Sequence, residues 1–87
     1  MEPLQRNITI ISRIKNSSGS VDLVIKAIDG TTFNITNCLA PKKTIPIEKL
    51  IGAYEVKAED GTMRHKKAVV YYNTDGTHDL ELTEEEY

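Results

Sequence analysis

The sequence has few of the features that mark membrane-spanning or disulfide-bonded proteins. It contains one cysteine, Cys38, which cannot form a disulfide within the chain. No apolar run approaches the roughly 18–20 residues that span a bilayer, and residues 1–7 lack the apolar centre of a signal peptide. Because an unpaired cysteine suits a reducing compartment, we expect a cytoplasmic protein with no membrane segment.

Catalytic and metal-binding constellations are equally scarce. Cys38 lies between Asn37 and Leu39, with no neighbouring base to activate its thiol. His65 and His78 do not follow a metal-ligand spacing, and the glycines do not form a phosphate-binding loop. The sequence therefore predicts a protein that is not an enzyme and that carries no cofactor or metal ion.

The residue types that are present favour strands over helices. Ile, Val, Thr, Tyr and Phe make up 29 of the 87 residues, whereas Leu and Ala are few. Hydrophobic residues account for 39% and charged residues for 28% of the chain, as in an ordinary globular protein. A chain of this length forms one hydrophobic core, so we expect a single all-β domain over residues 1–87.

Turn sequences divide the chain into short extended segments. The tripeptide Asp-Gly-Thr occurs three times, at 29–31, 60–62 and 75–77. Asp-Gly is a strong hairpin signal because glycine adopts positive φ without strain, and a Ser-rich stretch at 16–20 marks a fourth turn. One short helical turn is expected near 48–52. The remaining segments predict about six strands, at 8–15, 21–28, 32–39, 53–58, 62–73 and 78–83.

The loop lengths decide which residues face each other across the hairpins. A two-residue loop at the third Asp-Gly-Thr copy places Tyr71 opposite Leu80, which leaves Val70 and Tyr72 on the other face. If the sheet stays open, these two residues form a half-apolar outward patch, and if the barrel closes they belong to the core. The second copy is expected to form a loop of the same length. The first copy fits the apolar pattern better with an odd-length loop and a bulge.

Residues 21–33 read Val-Asp-Leu-Val-Ile-Lys-Ala-Ile-Asp-Gly-Thr-Thr-Phe, and residues 45–51 read Ile-Pro-Ile-Glu-Lys-Leu-Ile. These segments resemble the strand–turn–strand core of Sm-like and SH3-like small barrels. The resemblance implies a small antiparallel barrel or, if the sheet does not close, a strongly bent sheet. The RNA-binding element of the Sm-like family, Asp-x-x-Met/Phe-Asn, is replaced by residues 36–39, Thr-Asn-Cys-Leu. RNA binding is therefore not implied by the resemblance.

The charges are distributed unevenly along the chain. Residues 1–73 hold all 11 Lys and Arg together with seven of the 13 Asp and Glu, and residues 74–87 hold the other six acids. The strongest basic run is Arg64-His65-Lys66-Lys67, and Lys42-Lys43 begins a second basic group that includes Lys49. Basic side chains near Tyr72 have the composition of a surface that contacts phosphates and stacks on bases.

The acidic end at 84–87 has two interpretations. If the last hairpin extends at its predicted register, Lys67 lies opposite Glu84 and Lys66 opposite Glu85, so the acidic end pairs with the basic strand. Alternatively the acidic end frays, as charged termini often do, and leaves the basic strand free for a partner.

These features favour a non-enzymatic small binding module that acts through protein–protein contact. By analogy with the small proteins that phages and mobile elements encode, we expect an adaptor or inhibitor. Strand edges left open by the sheet would suit partner recruitment. The alternatives are a nucleic-acid-binding small barrel and a homo-oligomeric structural ring subunit. The candidate partner-binding residues are Arg64, Lys66, Lys67, Val70, Tyr72, Lys42 and Lys43.

Overall fold

Seven antiparallel strands form one curled sheet in the computed structural model, which describes residues 3–43 and 45–87. The strands are β1 (Leu4–Gln5), β2 (Thr9–Lys15), β3 (Val21–Lys26), β4 (Thr32–Leu39), β5 (Lys49–Lys57), β6 (Met63–Tyr72) and β7 (His78–Glu86). The predicted all-β antiparallel class is confirmed, and the described residues contain no helix. Met1, Glu2 and Thr44, which the single-domain prediction also includes, lie outside the described residues.

The sheet curls into a half-barrel whose strand order is β1-β7-β6-β5-β4-β3-β2. The N-terminal segment contributes to both ends of this order, because β1 pairs with β7 and β2 pairs with β3. Between them, the Ile8 amide donates a hydrogen bond to the His78 carbonyl at 2.9 Å. This architecture is compatible with a small barrel.

The helical turn expected near 48–52 is wrong, because these residues belong to a strand. β5 begins at Lys49 and continues without interruption to Lys57, so it starts four residues before the predicted strand. Leu50 lies opposite Val70, and its side chain packs in the core. Continuous pairing with β6 and alternate burial outweigh the weak local preference for a tight turn.

The four hairpin loops share one geometry, and each contains three residues. In the last hairpin, the Asn73 amide donates to the Thr77 carbonyl (2.9 Å) and the Gly76 amide donates to the Asn73 carbonyl (3.1 Å). Gly76 has a φ of 88°, a conformation that glycine adopts without strain. The same pair of hydrogen bonds occurs at 16–20, 27–31 and 58–62. The odd-length loop at the first Asp-Gly-Thr copy is therefore confirmed, and the two-residue loops at the other two copies are wrong.

The extra loop residue reverses the faces of the last hairpin. Tyr71 lies opposite Asp79, whereas Val70 lies opposite Leu80, and both members of this second pair are fully buried. Since side chains alternate along a strand, a shift of one residue exchanges the core face and the outer face. The core cluster consists of Ile8, Val21, Leu23, Ile25, Ala27, Ile35, Cys38, Leu50, Ala68, Val70 and Leu80.

Candidate functional site

The basic run on β6 lies directly beside the acidic end of β7. Its three Lys and Arg side chains each form an ion pair with a β7 carboxylate: Arg64 with Glu86 (3.3 Å), Lys66 with Glu84 (2.7 Å) and Lys67 with Glu85 (3.3 Å). His65 Nε2 lies 3.4 Å from Glu55 Oε1 on β5. Exposed pairs of this kind contribute about 0–1 kcal/mol each, but together they neutralise most of the positive charge of the run.

The expected pairing of the acidic end with the basic strand is confirmed, at a different register. Lys66 lies opposite Glu86, where the sequence predicted Glu85, because a register shift separates Lys66 from Ala68. The hydrogen bond from Lys66 Nζ to Glu84 raises the pKa of the Lys66 ammonium. Only 18% of the Lys66 side chain is exposed, compared with 91% of the Glu84 side chain. Lys66 is therefore a poor contact for a nucleic-acid phosphate.

Hydrogen bonds that do not depend on charge also hold the end of β7. The Tyr54 hydroxyl donates to the Thr83 carbonyl, and the Thr83 hydroxyl donates to the Lys67 carbonyl, both at 2.7 Å. The Tyr87 amide donates to the His65 carbonyl at 3.0 Å. Burial raises the pKa of the Tyr54 hydroxyl, which therefore remains a donor at neutral pH. The acidic end is thus part of strand β7 as far as Glu86.

The second basic group lies at a different place. Lys42 and Lys43 are exposed in the connection between β4 and β5, and Lys49 at the start of β5 lies opposite Tyr71. Arg64 lies opposite Val56, seven residues further along β5. At about 3.3 Å per residue, this separation is roughly 23 Å. The two basic groups therefore do not form one continuous surface.

Val70 and Tyr72 do not form an outward apolar patch, which was one of the two placements that the sequence left open. Val70 is 0% exposed and belongs to the core. Tyr72 is half-buried, and its ring meets the His78 ring edge to face, with centroids 4.6 Å apart. Burial raises the pKa of the Tyr72 hydroxyl. Both residues lie on the core face because the three-residue loop sets the register of the hairpin.

The sequence predicted exposed strand edges without identifying the strand, and among the described residues β2 has a free edge. β2 is the terminal strand of the sheet, and beyond β3 it has no neighbouring strand among the described residues. Ile11 and Ile14 are 52% and 60% exposed. The register with β3 shifts between Ile10 and Ser12 and is then regular as far as Lys15. A regular strand edge presents backbone N–H and C=O groups that another strand can pair with.

A half-apolar groove is a surface that the sequence did not identify. It has a volume of about 480 Å³ and is lined by Phe33, Tyr54, Val56 and Leu82. Charged residues of both signs, among them Lys57 and Glu84, stand beside it. Nothing in this lining selects one kind of ligand. Tyr54 and Val56 alternate within the predicted strand 53–58, but the sequence does not show that Phe33 and Leu82 lie beside them.

Cys38 is enclosed by the core, and the candidate metal-ligating side chains are dispersed among the described residues. Cys38 is buried, and burial raises the pKa of its thiol to about 11, so the thiol is protonated and weakly nucleophilic at neutral pH. Residues 3–43 and 45–87 contain no group of three or more His, Cys, Asp or Glu side chains arranged to hold a metal ion. The same residues include no helix with the length and apolar character to cross a membrane.

Comparison with known proteins finds no relative of this chain. No protein-family model matches the sequence, and no curated protein or solved structure is significantly similar to it. The architecture, an all-β curled half-barrel, is compatible with a small barrel, and no family match confirms a relation to Sm-like or SH3-like barrels.

Proposed function

We propose that this chain is a non-enzymatic protein-binding module that adds an extended segment of its partner to the free edge of β2. The observation that supports this proposal is the unpaired edge of a terminal strand that also exposes Ile11 and Ile14. Backbone pairing would provide affinity, and side-chain contacts on alternate positions would provide specificity. The proposed partner-binding surface is therefore the edge of β2 and not the β6 residues that the sequence favoured.

The finer expectations from the sequence belong to the same proposal. We assign the half-barrel to the Sm-like and SH3-like small barrels on the basis of its strand–Asp-Gly–strand segment. The lone thiol of Cys38 suits a reducing, cytoplasmic setting. An adaptor or inhibitor role, of the kind that phages and mobile elements encode, fits a chain that offers a strand edge and no assembled catalytic group among its described residues.

Nucleic-acid binding is the weaker alternative. Its candidate cations Arg64, Lys66 and Lys67 are each within 4 Å of a carboxylate of the same chain. Lys42 and Lys43 are exposed, but they lie in another part of the molecule from these three cations. A phosphate backbone would have to displace three existing ion pairs to use the β6 run.

The experiment compares capture of partners by three forms of the protein. Immobilised wild type, Ile14→Lys and Met63→Lys are exposed to lysate from the cells that encode the chain. Met63 is the matched control, because it is 53% exposed and lies on β6. We expect Ile14→Lys to lose at least one protein that wild type and Met63→Lys both retain. A photo-crosslinking side chain introduced at Ser12 should attach to the same protein.

Two results would contradict the proposal. One is equal capture by all three forms, which would mean that the β2 edge is not used. The other is a solution mass several times 9.8 kDa that Ile14→Lys reduces to a single chain, because the edge would then be occupied by copies of this chain. Light scattering on a sizing column measures that mass and would favour the ring subunit.

A further inference from the structure

The register of β2 against β3 sorts the β2 side chains onto two faces. Directly opposed residues of an antiparallel pair share a face. Arg13 lies opposite the buried Leu23, so it is on the core side of the sheet, and Lys15 shares that side by alternation. Ile14 lies opposite Asp22 on the outer side. A strand added at this edge would therefore meet cations on one face and an apolar side chain on the other.

Within residues 3–43 and 45–87, the cations of β2 have no acidic partner. Among the described residues, neither Arg13 nor Lys15 has a carboxylate oxygen within 4.0 Å, and residues 3–21 contain no Asp or Glu. Asp22 is the next acid along the chain. Its carboxylate already accepts hydrogen bonds from the Asn16 side chain (3.0 Å) and the Asn37 amide (2.9 Å).

The pair of β6 and β7 shows which kind of strand lies beside a basic strand in this sheet. β6 carries the basic run, and the neighbouring β7 alternates Leu80 and Leu82 with acidic Glu81 before it ends in three glutamates at 84–86. These glutamates form the ion pairs with the basic run, while the two leucines pack against the core. β2 is a second strand that combines cations with apolar residues, but its outer edge has no such neighbour among the described residues.

We propose that the partner segment captured by β2 is an extended strand in which acidic residues alternate with apolar ones. Its acidic side chains would pair with Arg13 and Lys15 on the core side, and its apolar side chains would cover Ile14 on the outer side. This inference rests on the proposed function, because it specifies the chemistry of the segment that the β2 edge receives. Charge complementarity of this kind selects partners and speeds association.

The test uses two synthetic eight-residue peptides with a fluorescent label. One alternates glutamate and valine, and the other alternates lysine and valine. Fluorescence anisotropy with the full chain at low salt should show tighter binding of the glutamate peptide, by about tenfold or more. A glutamate peptide with alternate backbone amides methylated, which removes the pairing N–H groups, should lose binding.

Charge reversal locates the effect on β2. The double variant Arg13→Glu, Lys15→Glu should prefer the lysine peptide. The matched control is Lys42→Glu, Lys43→Glu, which makes the same change of net charge at exposed positions away from β2. This control should keep the preference for the glutamate peptide, because neither residue belongs to the strand edge with which the peptide would pair.

The outcomes separate this inference from the proposed function. If lysate capture depends on Ile14 but is unchanged by the Arg13 and Lys15 reversal, strand addition stands and the acidic partner is overturned. If neither peptide binds and capture is independent of Ile14, both are overturned, and the bulge and cations of β2 serve to protect the edge from pairing. Equal binding of the methylated and unmethylated glutamate peptides would also overturn the inference, because no backbone pairing would be involved.

Discussion

At the scale of one residue, Gly52 explains why strand β5 covers positions at which the sequence predicted a helical turn. A β-carbon at this position would lie 2.5 Å from Cys38 Sγ and 2.8 Å from the Thr36 carbonyl oxygen, both on β4. Glycine within a strand often marks such a close approach of another backbone. Position 52 falls within the helical turn that the sequence predicts near 48–52, because one glycine in a sequence does not reveal whether it serves a bend or a close contact.

The first prediction concerns Gly52→Ala. We expect the substitution to lower the free energy of unfolding by about 2–3 kcal/mol, because the neighbouring backbone cannot move away cheaply. Gly61→Ala is the control, since Gly61 has open space around it but a φ of 86°, which costs an alanine about 1 kcal/mol. Urea unfolding of both variants measures the difference. A smaller loss for Gly52→Ala than for Gly61→Ala would contradict the close contact.

At the scale of elements, the repeated loop explains what the sequence could and could not predict. The positions of all four turns and the all-β class followed from glycine and alternation. The register did not, because Asp-Gly fits both a two-residue loop and the last two positions of a three-residue loop. That single residue moved Val70 from the expected binding surface into the core, whereas Arg64, Lys66 and Lys67 remained beside the acidic strand as one interpretation required.

The Asp-Gly-Thr loops are also stabilised by their aspartates. Asp75 Oδ1 accepts hydrogen bonds from the Thr77 hydroxyl (2.6 Å) and the Thr77 amide (3.0 Å). These bonds, the hydroxyl first, hold the pKa of Asp75 below its ordinary value. Asp60 and Thr62 repeat the arrangement at 2.6 and 3.0 Å. The charged form of each carboxyl is therefore the form that the folded loop favours.

The second prediction is a pH-dependent loss of stability in Asp75→Ala. A carboxyl with a lowered pKa in the folded state contributes stability above its unfolded pKa, and this contribution is lost as pH falls through the folded pKa. We expect Asp75→Ala to lower the urea midpoint at pH 7 and to differ much less from wild type near pH 2. Thr74→Ala, in the same loop, should show no such pH dependence. An equal loss for Asp75→Ala at both pH values would assign the effect to packing.

At the scale of the whole molecule, the basic and acidic parts of the sequence lie next to each other and form ion pairs. The acidic end and the basic run are 20 or so positions apart along the chain, yet they lie side by side on β6 and β7. The ion pairs stabilise little individually. We expect their larger effect to be competition with other anions for the basic run.

The third prediction tests that effect with the triple variant Glu84→Gln, Glu85→Gln, Glu86→Gln. Wild type should bind a labelled oligothymidylate weakly at about 50 mM salt, whereas the variant should bind it more tightly, with a steep loss of affinity as salt rises. The hydrogen bonds of Thr83 should keep β7 in place, which circular dichroism checks. Equally tight binding by wild type would mean that the paired cations still attract nucleic acid, and the nucleic-acid alternative would regain weight.

The pairing of β1 with β7 has a consequence for how the chain folds during synthesis. Strands β2 to β6 are consecutive neighbours in the sheet, so each can pair as soon as the next emerges from the ribosome. β1 is synthesised before all of them but must wait for β7, the last of the seven. A chain interrupted before β7 would leave β6 uncovered as well as β2. Such a fragment would present two open strand edges, and we expect it to aggregate by edge-to-edge strand pairing.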